Sequence, residues 1–106
     1  MGTWTGATAL GVKVSPEQTG AFTASFAYGV WLCGTGTYTV TLPPAADGKF
    51  NGVSGKLTFK HSGASGTVTI DGSGSETIDG ATTLALTTLT RATIVSDGTA
   101  WHIISA

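Results

Sequence analysis

The chain has 106 residues, only 10% of them charged, with five Lys and Arg against six Asp and Glu. That length holds one domain. The low charge beside a 41% hydrophobic content excludes an intrinsically disordered chain. It also excludes a coiled coil, which needs an Ala/Glu/Lys/Leu-rich heptad pattern. Five cations scattered along the sequence predict no basic patch for nucleic acid. Gly, Thr and Ser together make 45 of the 106 residues, the composition of a threonine-rich β protein punctuated by turns.

The first residues, Met1 to Gly6, carry no basic segment followed by an apolar run, so no secretory signal is read there. The longest mostly apolar stretch, Ala24 to Cys33, is too short to span a bilayer. No membrane partner is therefore expected, and synthesis in a cytoplasm is. Residues 1–35 are rich in small side chains, with bulky rings at Phe22, Phe26, Tyr28 and Trp31. They read either as further strands of the same domain or as an N-terminal arm used in assembly. Trp4, so near the start of the chain, favours the arm, because an aromatic ring there needs something to bury against. Trp4, Leu10, Phe22, Phe26 and Trp31 are the candidate contacts with a neighbouring subunit or a larger assembly.

From residue 36 onward the pattern is strand, turn, strand. Tyr38, Val40 and Leu42 alternate with threonines, the period of a half-buried strand. Pro43-Pro44 ends it. Asp47-Gly48 and Asn51-Gly52 read as turns, and Val53 to Lys60 as the next strand, with Leu57 and Phe59 on one face. Thr67 to Ile70 follows, then Asp71-Gly72 as a turn, then a short strand from Glu76 to Ile78. Leu84 and Leu86 alternate again. Arg91 to Ser96 and Trp101 to Ile104 close the chain as a hairpin about Asp97-Gly98. Turn signals every 8–12 residues predict an all-β fold. It is expected to be a compact antiparallel sandwich or barrel-like domain over residues 36–106. The predicted core is Tyr38, Val40, Leu42, Leu57, Phe59, Val68, Ile70, Leu84, Leu86, Ile94, Trp101 and Ile103. Thr39-Val40-Thr41-Leu42 returns as Thr67-Val68-Thr69-Ile70, a weak internal repeat.

Residues that could carry chemistry are few. Cys33, His61 and His102 match no short metal motif. Asp71-x-Ser73-x-Ser75 begins like a calcium loop but lacks the glycine and the glutamate that such a loop needs. Asp71, Glu76 and Asp79 are the one carboxylate set that folding might bring together for glycoside hydrolysis. Trp31, Trp101 and Tyr38 are the rings that sugars would stack on. No catalytic residue and no cofactor are assigned. A lone cysteine permits no intrachain disulfide, which leaves oligomerisation as the route to stabilise so small a domain.

Four stretches carry a resemblance. They are Gly36 to Pro43, Gly66 to Ile70, Glu76 to Gly80, and Thr93 to Ile104 with its Ser-Asp-Gly-x-x-Trp-x-Ile pattern. Together they resemble a β module of tailed-phage structural proteins found in tail fibres, head fibres and capsid decoration proteins. The resemblance covers about two-thirds of the chain. It implies a virion protein without catalytic residues, commonly a homotrimer. A short chain beginning at Met1 points among these to a capsid decoration, or cement, protein on the capsid surface. Its partners would be copies of itself and the major capsid protein, with no nucleic acid. The alternative is a fibre module that binds a host receptor or surface glycan.

Overall fold

A computed structural model describes residues 13–49 and 55–106. Trp4 and Leu10 lie outside the described residues, as does the Asn51-Gly52 turn. The elements are β1 (Phe22–Thr23), β2 (Val30–Cys33), β3 (Tyr38–Thr41), the one-turn helix α1 (Ala45–Lys49), β4 (Lys56–His61), β5 (Val68–Asp71), β6 (Thr83–Leu86), β7 (Arg91–Ser96) and β8 (Trp101–Ser105). The strands form two four-stranded sheets. Sheet 1 has the order β2-β4-β7-β8 and sheet 2 the order β1-β3-β5-β6.

The fold is all-β, as the turn spacing predicts, but the sheets are mixed rather than antiparallel. β2 pairs β4 in parallel, and so do β1 with β3 and β3 with β5. The cause is the route of the chain. From β1 to β5 successive strands alternate between the two sheets, so each return to a sheet follows one strand in the other and runs in its predecessor's direction. A parallel pair needs a long crossover, and here the crossover contains the strand of the opposite sheet. Only from β5 onward do near neighbours pair antiparallel, in β5–β6 and β7–β8, while β7 also closes onto β4. The internal repeat sits in β3 and β5, where Tyr38 lies opposite Val68 and Val40 opposite Ile70.

The described part of the N-terminal third is built into these sheets. Val14 and Gln18 bridge in parallel to Val30 and Cys33 at the edge of sheet 1, and β1 forms the edge of sheet 2. Between the sheets lie Val40, Leu57, Phe59, Val68, Ile70, Leu86, Ile94 and Trp101, all buried, with Leu42 beside them. Tyr38, Leu84 and Ile103 are partly buried against this core. Burying apolar surface is the main favourable term in folding, and here one face of every strand supplies it.

Two local features depart from the sequence expectation. Residues 45–49 form a helical turn where Asp47-Gly48 reads as a reverse turn. A distant side chain holds its start: Glu76 Oε1 accepts from the Ala45 amide at 2.9 Å. The Ser96 hydroxyl donates to the Ala45 carbonyl. Glu76 to Ile78 is not a strand. Only Ile78 bridges, to Ala81 and to Trp101.

Candidate interaction surfaces

Among the described residues the aromatic side chains pack against one another and the core. Trp31 is 7% exposed, stacks on Phe22 at 5.0 Å between centroids, and meets Tyr28 edge-on at the same distance. Its indole Nε1 donates to the Ser25 carbonyl. Phe26 stacks on the fully buried Trp101. Phe22, Phe26 and Trp31, predicted as contacts with a partner, therefore pack within the chain itself, since a domain this small needs its large rings for its own core. Tyr38 is half-buried, and its hydroxyl donates to the Gly34 and Gln18 carbonyls. Trp31, Trp101 and Tyr38 thus do not form a platform for a sugar.

The polar groups singled out in the sequence are not brought together either. Asp71 faces outward from sheet 2, Glu76 caps α1, and Asp79 sits in a turn where its carboxylate accepts from the Ile103 amide. Cys33 and His61 are neighbours across β2 and β4, both fully buried. Burial pushes the Cys33 thiol up to about 11. The His61 ring is satisfied by its own loop. Nδ1 accepts from the Gly63 amide at 3.2 Å, which places the proton on Nε2, and Nε2 donates to the Gly66 carbonyl at 2.9 Å. His102 lies apart on the outer face of sheet 1. Its Nε2 donates to Asp97 at 2.7 Å, and Asp79 stands 3.8 Å from Nδ1. The His102 hydrogen bond, with the amides of Ala100 and Thr99, holds the Asp97 carboxyl down at about 2. Among the described residues, no three His, Cys, Asp or Glu side chains are grouped to hold a metal ion.

Among the described residues the fold presents three surfaces outward. The outer face of sheet 2 carries threonines in register. Thr39 and Thr69 lie in one row with Ala85, and Thr23, Thr41 and Thr83 in the next row with Asp71. The second surface is a groove of about 370 Å³ where the sheets part between β6 and β8, lined by Leu84, Leu86, Leu89, Arg91, Ala92 and Ile103 among others. At its rim Leu89 is 62% exposed and takes a positive φ of 62°, which costs a non-glycine residue on the order of 1 kcal/mol.

The third surface is the outer face of sheet 1, which carries cations and carboxylates side by side, Asp79 and Asp97 on His102 and Glu17 on Ser62. Lys56, Lys60 and Arg91, three of the five Lys and Arg, all face outward from β4 and β7. Period-two alternation places Lys56 and Lys60 on one face of β4, and the β4–β7 register adds Arg91. No family model matches the chain, and no curated protein or solved structure matches it.

Proposed function

We propose that this chain is a non-enzymatic structural protein of a phage virion: a capsid decoration protein that binds the assembled head as a homotrimer and stabilises it. The resemblance of residues 36–104 to the phage β module supports the virion assignment. The β6/β8 edge carries the oligomeric part of the proposal. Both strands are the last of their sheets, and the apolar groove opens between them with Leu89 at its rim. The edge of β8 is already bonded at Trp101 by Thr77 and Asp79, so it is the apolar groove and the exposed Leu89 beside β6 that form an aggregation hazard in an isolated domain and that a neighbouring copy docked there would cover. A specific contact of ordinary size removes about 1,600 Å² from water. The fibre reading, with a host glycan as ligand, draws no support from Trp31, Trp101 and Tyr38, which pack inside the domain.

Native mass spectrometry tests the oligomer. The expected result is a species at three times the 10.6 kDa chain mass, and a monomer at micromolar concentration would overturn it. Leu89→Asp, which places a charge at the groove rim, should dissociate the trimer and leave the circular dichroism of the β domain unchanged. Adding the protein to decoration-free heads of the phage or prophage that encodes it tests the rest. Raised heat tolerance of the heads is expected. A change in host adsorption without that gain would favour the fibre module instead.

A further inference from the structure

Among the described residues, three of the four sheet edges are covered or short. Val14 and Gln18 bridge to the outer edge of β2, and β8 is bonded at Trp101 by Thr77 and Asp79. β1 is two residues long. β6 is different. The Gly72 amide donates to the Thr82 carbonyl, which makes those two a hydrogen-bonded pair and sets the alternation along the antiparallel β5–β6 ladder. Leu84 and Leu86 therefore bond to β5, while the amides and carbonyls of Thr83 and Ala85 point away from it. Among the described residues no backbone bond meets them. Beside this open edge lies the apolar groove, walled by Leu84, Leu86, Leu89 and Ile103. Such an edge accepts an extended segment: backbone bonds hold it, and its alternate side chains enter the cleft.

The first twelve residues, outside the described part, have a sequence that matches. Even positions carry Trp4, Leu10 and Val12, and odd positions carry Thr3, Thr5, Ala7 and Ala9. Laid along β6, the even side chains would enter the groove. The odd ones would continue the threonine and alanine rows on the outer face of sheet 2, where Thr83 and Ala85 stand. The place where this segment joins the sheets decides whose groove it meets. The Lys13 carbonyl accepts from the amides of Gly29 and Val30 beside β2. β2 and β8 are opposite edges of sheet 1, about 14 Å apart at the usual strand spacing. The segment thus starts on the far side of the sandwich from its own groove. A head-to-tail ring sets that edge of one copy against the groove edge of the next.

We propose that residues 3–10 of one copy add as a strand to β6 of the next copy, with their even-numbered side chains in the apolar groove. The added strand would bond the open amides and carbonyls of Thr83 and Ala85, and its apolar side chains would cover Leu89. The inference rests on the oligomer reading above, and it names the part of the neighbour that docks.

Paired cysteines in the full chain test it. Ala85→Cys is combined with Ala7→Cys in one variant and with Ala9→Cys in another, and each is oxidised and run on a non-reducing gel. Cys33 is fully buried and takes no part. Side chains that share a face on neighbouring strands lie close enough for a disulfide. The expected result is linkage between chains, in at least one of the two variants, that closes at three copies. Thr8→Cys with Ala85→Cys puts the two thiols on opposite faces and should link roughly tenfold less. Trp4→Ala should weaken assembly about tenfold or more, as truncating a buried aromatic anchor does, and leave the circular dichroism unchanged. Ala85→Pro, which removes an amide only from the open edge, should do the same. Linkage within single chains, equal linkage from Thr8→Cys, or no linkage between chains would each overturn the proposal. No linkage in a protein that native mass spectrometry shows to be a trimer would overturn strand addition alone. Linkage between chains that closes at another number of copies would uphold strand addition and overturn the trimer.

Discussion

Val40 and Ile70 are side-by-side neighbours in the parallel β3–β5 ladder, and both are completely buried. Thirty residues of chain separate them, including a full strand of the other sheet. The contact ties two circuits of the chain together at the centre of the core. Ile70→Ala should therefore cost about 2–5 kcal/mol in urea unfolding, the usual range for a truncation that leaves a cavity. A loss below about 1 kcal/mol would mean that the sheets close over the gap.

The Cys33 thiol is fully buried, and its ionisation is pushed up to about 11. The thiolate is the reactive form. Ellman's reagent at pH 8 should thus leave the native protein unmodified for hours and label it at once in guanidinium chloride. Rapid labelling under native conditions would show that β2 opens. The sign of the pH effect follows from the direction of the shift. Tyr38 is also pushed up to about 12, mainly by burial. A group raised in the folded state stabilises it fully below its unfolded value. That stability is lost as pH rises, for Cys33 between about 9 and 11 and for Tyr38 between about 10 and 12. Alkaline unfolding is expected across that window.

Asp97 behaves in the opposite sense. Its carboxyl is held at about 2 against an ordinary 3.8. The contribution is complete above about pH 4 and lost as pH falls toward 2. A carbon-detected NMR titration of the Asp97 carboxyl should show its midpoint near 2. A midpoint near 4 would mean that the His102 contact does not persist in solution. Since the carboxylate is exposed, Asp97→Asn should change stability at pH 7 only slightly, while altering the His102 ring shifts.

His61 joins the end of β4 to the loop that follows. Replacing it with Phe keeps an aromatic ring, slightly larger, but strands the Gly63 amide and the Gly66 carbonyl, for a cost of roughly 1–3 kcal/mol or more by denaturant titration. The same loop needs its glycines. Gly66 has a φ of +95°, and a Cβ there would run into the backbone of Gly36. Gly66→Ala should therefore destabilise more than an exposed Gly→Ala substitution elsewhere, such as at Gly20, where a Cβ meets nothing within 4 Å.

Much of this architecture is legible in the sequence because side chains alternate across a strand. The pattern places Arg91–Ser96 as observed and sets β3 and β5 within one residue of their observed ends. It also identifies which residue of each pair is buried. Alternation says which way a side chain points, however, and not which strand lies alongside. The parallel order of β1 to β5 is therefore not readable, and turn signals every 8–12 residues lead instead to the expectation of an antiparallel fold. Helix α1 was hidden for a related reason: its cap, Glu76, comes from 31 residues away. The sheet 1 face was half legible. Lys56 and Lys60 sit at even spacing on one strand, which places them on one face, but only the pairing of β4 with β7 brings Arg91 beside them.

The alternating path from β1 to β5 also bears on how such a chain can lengthen. Val30 and Thr58 occupy equivalent positions 28 residues apart, in adjacent parallel strands. A duplicated segment of that length would enter as one more circuit, adding one strand to each sheet and restoring the chain's direction where it rejoins the original. The hairpins at the C-terminal end would keep their pairing. With this path, added length is accommodated as a further circuit of the same two sheets rather than as a new fold.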